Sequence, residues 1–399
     1  IFFVSGFLIY VCSYPVGVYS GLTVSDVFCL DVVSFYLILL SGLLGVSLMF
    51  FVRGVSLIGY WMLVTSLVCS VLCYCCMHVF WFWCFYEISI LALLVLLVVE
   101  SPYPERYVAA WYLVGYVLLS SLPMLLCLVY LSVWFGSMSF GFWTMLGSVS
   151  YEVLLVLCVL FVSKIPIFPF HVWLPLVHAE ATFPVSVCLS GYVMKLGILG
   201  LCRVCNQIIP DVLFHTFYLI VCLVASVVFF VCACAELDTK RWLALMSLAH
   251  INIACVCLGV GESENVSLAM LYSVGHGLAA GLMFIMLWIA YLVVGSRNWF
   301  VLKCLVSSGV ILNCLLVGSL CAVMSFPPTV QFFCEVFAVS MSSSFSSVLF
   351  FFWVLYFFSW CSSVNFVGWF VDSSCKVSRV RNWYFGSGGF CYFFIVVVF

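Results

Sequence analysis

Residues 160–175 read LFVSKIPIFPFHVWLP. An ammonium, Lys164, stands in an apolar run, and Pro166, Pro169 and Pro175 come after it. Proline has no amide hydrogen to donate and clashes with the preceding helical turn. In water this would simply end a helix. In lipid it leaves carbonyls without partners, which is tolerated only where the break is buried in protein or lines a wet cavity. Which solvent the stretch meets therefore decides the fold.

The rest of the chain points to lipid. Of 399 residues, 67% are hydrophobic and 7% charged, and the mean hydropathy is +1.36. Soluble domains carry about 25% charge. Apolar runs of 18 or more residues recur along the whole length, which predicts an all-α polytopic membrane protein. The period-2 alternation of a membrane barrel is absent. The net charge of −2 offers no basic face, so nucleic acid is not an expected partner. The lipid bilayer is.

We expect helices at 1–20, 32–53, 56–76, 78–99, 107–132, 153–178, 182–205, 212–235, 241–260, 265–294, 301–341, 346–371 and 385–399, about 13 segments at spanning length. Residues 1–20 look like one span among many, so no cleaved leader is needed to explain them. Short polar joints separate the segments: ESPYPER (100–106), CNQIIPD (205–211), ELDTKR (236–241), GESEN (261–265) and DSSCKVSRVR (372–381). No long linker interrupts the chain, so residues 1–399 read as a single membrane domain.

The 24 cysteines lie scattered in apolar runs, as at Cys73, Cys75 and Cys76. No second pair or histidine pair stands at the spacing of a metal or iron–sulfur site. They read as small buried hydrophobes, and no metal is expected. Abundant Phe, Cys, Val and Trp with scarce Lys and Pro suit a T/G-rich gene, such as an organellar one.

Two expected segments are too long for one straight span. Residues 153–178 are broken by Pro166, Pro169 and Pro175, and residues 301–341 by Pro327 and Pro328. Broken helices in two halves of a chain point toward a transport site. The interval between the breaks suits a repeated unit of about five helices, although no sequence repeat is evident.

The few formal charges can be placed individually. Arg53, Glu100, Glu105, Arg106, Glu152, Asp211, Glu236, Asp238, Lys240, Arg241, Glu262, Glu264, Arg297, Lys303, Asp372, Lys376, Arg379 and Arg381 fall in or beside joints, where they read as interfacial anchors or topology signals. Glu87, Lys164, Lys195 and Glu335 lie inside apolar runs, as do His250 and His276. A charge at the bilayer centre costs about 2.5–3.5 kcal/mol on insertion scales. Two acids and two amines invite pairing, and imidazole titrates near neutral pH. Together they are the parts of a proton relay. Structural readings stand beside this one. Glu87–Lys164 could be a static pair that fixes register. The histidines could be satisfied core groups. Glu335 could accept from the free amides of the broken helix.

SKIPIFPFHVWLPLVHAEATFPVSVCLSGYVMKLGILGLCRV (163–204) resembles the signature of the antiporter-like membrane subunits of respiratory complex I, with Lys164 and Lys195 in the two lysine places. YEISILALLVLL (86–97), PER (104–106) and SLP (121–123) resemble the family's acidic helix and the segments after it. ELDTKRWLALMSLAHINIA (236–254), GHGLAAGLMF (275–284) and FPPTVQFFCEVF (326–337) resemble its later stretches, in the family's order. The likeness covers about residues 30–340. Glu335 places it with the mitochondrially encoded type that carries Glu on the second broken helix, where other types usually carry Lys. Two positions depart from the pattern: Thr182 comes after Glu180-Ala181, with the proline displaced to Pro184, and Leu176 stands where a lysine is common.

The resemblance implies antiporter-like inverted repeats. Residues 78–205 would form a first half holding Glu87, Lys164 and Lys195. Residues 212–341 would form a second half holding His250, His276 and Glu335, and 346–399 would be C-terminal helices. The family core has about 14 helices, and only one span fits before residue 31, so its first helix is expected to be missing. The implied role is a non-redox, proton-translocating subunit of NADH:ubiquinone reductase in the mitochondrial inner membrane. The six buried groups would form the relay, and neighbouring antiporter-like chains 2 and 5 would be partners. FMN, iron–sulfur clusters and ubiquinone would reside in other subunits, with no cofactor in this chain. A standalone cation/proton antiporter and a purely structural spacer in the membrane arm are the rival readings.

Overall fold

The computed structural model describes residues 22–23, 25, 27–51, 55–145, 151–204, 216–259, 264–303, 310–327 and 329–357. The expected spans at 1–20 and 385–399 lie outside the described residues, as do most of 346–371 and the joints at 205–211 and 372–381.

A two-stranded hairpin, β1 (Leu22–Thr23) and β2 (Cys29–Leu30), precedes the helices. Then come α1 (Val32–Phe51), α2 (Leu57–Cys75), α3 (Val79–Glu100) and α4 (Arg106–Phe135). Within α4 lies a π turn at Val114–Leu118. The broken region is next, as α5 (Tyr151–Lys164), α6 (Trp173–Glu180) and α7 (Phe183–Val204), the last with a π turn at Leu189–Val193. After it stand α8 (Thr216–Ala235), α9 (Thr239–Gly259), α10 (Glu264–Val294) and the short α11 (Trp299–Leu302). The second broken region is α12 (Val310–Val323), α13 (Val330–Phe345) and α14 (Ser347–Phe357).

Eight of these helices are long and apolar enough to cross a membrane. The expected run 153–178 divides at Pro166 and Pro169, with α5 ending on Lys164 and α6 beginning at Trp173; Pro175, expected to break the run as well, instead lies in the first turn of α6, where an amide has no partner within the helix. The expected run 301–341 divides between α12 and α13, while residues 304–309, between α11 and α12, lie outside the described residues. At the α12–α13 break Ser325 takes a left-handed φ of 50° and Thr329 caps α13, its side chain accepting from the Phe332 amide. α10 is unbroken for 31 residues, which at 1.5 Å per residue makes roughly 46 Å. That exceeds the apolar thickness of a bilayer, so it must tilt or project.

Burial sorts the helices. α7 is wholly buried and α9 nearly so, whereas α4 is mostly exposed and presents Trp111, Leu126 and Val133 outward. Apolar residues outside and polar residues within is the distribution lipid demands. Glycine lets the central helices meet. A Cβ on Gly197 would stand 3.2 Å from the Phe161 backbone oxygen and would collide with Ile165, and one on Gly200 would run into the Phe161 ring. Gly197 and Gly200 therefore form the small-residue seam along which α7 rests on α5. Arg203, at the far end of α7, donates to the carbonyls of Tyr74 and Cys76 and pairs with Asp31 at 3.2 Å. It thereby satisfies the open C-terminus of α2. Cys73, Cys76, Cys188 and Cys255 are buried free thiols, as small hydrophobes would be.

Candidate functional site: a buried line of charge

Two polar clusters lie inside the helices, one near each break. In the first, Lys164 Nζ is 3.5 Å from Glu87 Oε1, and both side chains are buried. α3 brings Glu87 and the last turn of α5 brings Lys164. The ammonium also lies 4.3 Å from the centroid of the Tyr86 ring, a cation–π contact supplied by the residue before its acid. Beyond the ion pair, neither Nζ nor Oε1 has a hydrogen-bond partner among the described residues.

The second cluster is denser. His250 Nδ1 is 3.4 Å from Glu335 Oε1. Ser325 Oγ donates to that oxygen at 2.8 Å, Tyr272 Oη at 3.2 Å and Tyr356 Oη at 3.3 Å. The same His250 nitrogen lies 2.9 Å from Gln331 Nε2, 3.2 Å from Tyr272 Oη and 3.3 Å from Tyr356 Oη. Side chains from α9, α10, α13 and α14, together with Ser325 from the break itself, thus converge on one imidazole and one carboxylate. The expected acceptance of free helix amides by Glu335 is replaced here by three hydroxyl donors. The Gln331 amide can turn either its NH2 or its carbonyl toward His250, so the cluster accommodates that nitrogen with or without a proton. The His276 ring is centred 5.9 Å from that of His250, and its Nε2 has no partner among the described residues.

Lys195 lies between the clusters. It is wholly buried, and its Nζ donates to the Ser190 carbonyl in the π turn of its own helix. A π turn shifts the i→i−4 ladder by one residue and so leaves a carbonyl available to a side chain. Among the described residues no carboxylate lies within ion-pair reach of Lys195, and no hydrogen bond joins it to Lys164. It does act electrostatically on His276 and on His178.

His178 is a site residue that the sequence motif contains but does not single out. It is wholly buried on α6, both ring nitrogens lack partners among the described residues, and its ring stacks on Phe284 at 5.1 Å. The charges acting on it are Lys240 and Lys195. Lys240 corrects another expectation. Assigned to the interface by its place in a polar joint, it is fully buried and donates to the Ala181 carbonyl. The reason is that the Lys240 side chain turns inward from the start of α9 against the α6–α7 break, while its neighbours Leu237 and Arg241 stay exposed. Sequence reasoning also misses Tyr272, Gln331, Ser325 and Tyr356. Two of them are within reach of helical spacing, since Tyr272 stands four residues before His276 and Gln331 four before Glu335, each on one face.

Buried lysines set at helix breaks, a histidine–glutamate cluster and an apolar exterior define a membrane protein of transporter type. Residues 76–362, more than half of the chain, match the family described as NADH:quinone oxidoreductase/Mrp antiporter, TM, and the chain belongs to it. NADH-ubiquinone oxidoreductase chain 4 of Ascaris suum is 28% identical over 279 residues, 69% of this chain and 66% of that protein. The chain thus spans about two thirds of that relative. The fold is that of a chain in the respiratory complex I of Thermus thermophilus with bound NADH, at 19% identity and a TM-score of 0.82, covering 98% of this chain and 86% of that one. A chain of a membrane-bound sulfane sulfur reductase, an archaeal respiratory membrane complex, has the same fold at 15% identity and a TM-score of 0.81, covering 99% and 84%.

Proposed function

We propose that the chain is a proton-translocating membrane-arm subunit of respiratory complex I, of the chain 4 type, in the mitochondrial inner membrane. The observation that carries this reading is the line of six buried titratable groups, ending in the contact of His250 with Glu335 at 3.4 Å. A static scaffold has little use for so many ionisable groups without full pairing, since each buried ion carries a desolvation penalty of several kcal/mol.

The residues divide the work by the groups they touch. Glu87 and Lys164 form the input pair. Loosening the pair removes the acid that steadies the ammonium, and Lys164 then releases its proton toward Lys195. His178 and Lys195 occupy the middle. Crossing the gap from Lys164 takes a mobile carrier, because direct transfer needs hydrogen-bond reach. His276 and His250 pass the charge onward, and Glu335 receives it at the second break. The broken ends of α5, α6, α12 and α13 supply polar backbone at depth. FMN, iron–sulfur clusters and ubiquinone belong to other subunits of the assembly, and chains 2 and 5 are its neighbours in the arm.

The test is Lys164→Met in the intact complex, reconstituted in vesicles. Electron transfer with an uncoupler is expected to continue while proton translocation falls. Full pumping would overturn the relay. The family also includes Mrp antiporters, and a standalone cation/proton antiporter would purify without flavin and iron–sulfur subunits.

A further inference from the structure

Half-helix α6 ends on three consecutive carbonyls, and each is held by a side chain from a different element. Arg297, just past α10, donates Nη1–H to Ala179 O. Ser101, just past α3, donates its hydroxyl to Glu180 O. Lys240, in the first turn of α9, donates Nζ–H to Ala181 O. The last carbonyls of a helix have no partner within it, and cations are favoured at that end by the helix dipole.

The two cations are themselves fixed by aromatic rings. Lys240 Nζ lies 4.1 Å from the centroid of Phe183 and 5.1 Å from that of Tyr103. Arg297 Cζ lies 4.2 Å from the Tyr103 centroid, and Nη2 is 3.5 Å from Asp238 Oδ2. Burial pushes the Tyr103 phenol up to about 12. Both cations therefore meet a neutral ring face in every physiological condition.

α6 has only eight residues and is bounded by breaks on both sides. Isolated helices under about 12 residues are marginal, so outside contacts must set its position. The residue that gains by this is His178, two positions before Glu180, wholly buried with its ring stacked on Phe284 at 5.1 Å.

We infer that Lys240, with Arg297 and Ser101, is a positioning residue that latches the last turn of α6 and so fixes the place of His178, which lies on that turn with its ring stacked on Phe284. The latch also ties the end of α3 to the starts and ends of α9 and α10 across one short helix. Its consequence for pumping rests on the relay reading above; its structural content does not.

The experiment uses the assembled complex carrying Lys240→Met, Lys240→Arg or Ser101→Ala. Amide hydrogen exchange across Trp173–Glu180 reads the latch directly. Lys240→Met, which keeps the volume and removes the donor, is expected to raise exchange there by about tenfold or more. Lys240→Arg is expected to restore protection. If Lys240→Met does not assemble, Ser101→Ala leaves both cations in place and should give a smaller increase in the same segment. Exchange equal to the wild type in the variants that assemble overturns the latch. Protons moved per electron pair provide the second readout. A loss in Lys240→Met with rescue in Lys240→Arg is expected, and an unchanged ratio where Lys164→Met does lose pumping overturns the positioning role. If Lys164→Met also pumps fully, the relay reading has failed, and exchange alone decides the latch.

Discussion

Lys195 turns back along its own helix to the carbonyl of Ser190, five residues earlier, with no acid beside it among the described residues. An ammonium in that position is costly to bury, and one carbonyl offsets only part of its lost hydration. Replacement by a flexible apolar side chain of similar length removes both the charge and its cost. Lys195→Met should therefore leave thermal stability of the complex unchanged or raise it by about 1 kcal/mol, while proton translocation drops. A variant that is destabilised yet still pumps would show that Lys195 is a structural group.

Glu87 and Lys164 should behave in the opposite way. Their charges are paired at 3.5 Å and buried, with the Tyr86 ring beside the ammonium. Glu87→Gln strands a buried ammonium and should cost about 3–5 kcal/mol, whereas Glu87→Gln with Lys164→Met should recover most of that loss. Assembly yield and thermal unfolding of the two variants measure the difference. Equal losses in the single and the double variant would mean that the pair does not act as a unit.

The ion pair is legible in the sequence for a plain physical reason. In a chain this apolar, each charge within a long hydrophobic run stands out, and Glu87 and Lys164 have few other candidates for partners. The breaks are legible because proline cannot continue a helix. The lateral contacts stay hidden. Lys240 sits in a polar joint, and nothing in ELDTKR tells that its side chain, unlike that of Arg241, turns inward to the α6–α7 break. His178 is hidden for a similar reason, because its motif gives the helix and not the neighbours. Tyr356 reaches the second cluster from α14, 106 residues beyond His250, and only the packing of the helices brings the two together.

Tyr272 is the residue that joins the second cluster. Its hydroxyl touches His250, Gln331 and Glu335 at 3.2–3.3 Å. Tyr272→Phe removes that bridge and leaves buried polar partners short of a hydrogen bond, so it should cost about 1–3 kcal/mol. Thermal unfolding of the complex checks the magnitude. A change within measurement error would mean that Ser325, Gln331 and Tyr356 hold His250 and Glu335 together without it.

The seam between α5 and α7 gives a prediction that needs no charge at all. Gly197 faces the Phe161 backbone oxygen, and Gly200 faces the Phe161 ring. A ring at the end of a side chain can swing aside, but a helix backbone moves only if the helix moves. Gly200→Ala should thus be absorbed by a shift of Phe161, at about 1–3 kcal/mol for overpacking. Gly197→Ala must displace the Ile165 side chain and press the α5 backbone by a few tenths of an ångström, Gly197→Val by more, and α5 carries Lys164 on its last turn. The expected outcome is that the Gly197 variants lose proton translocation together with stability, while Gly200→Ala loses mainly stability. Measuring translocation per electron alongside thermal unfolding separates the two, and a Gly197→Val complex that pumps normally would show that the spacing of these helices does not govern the lysines.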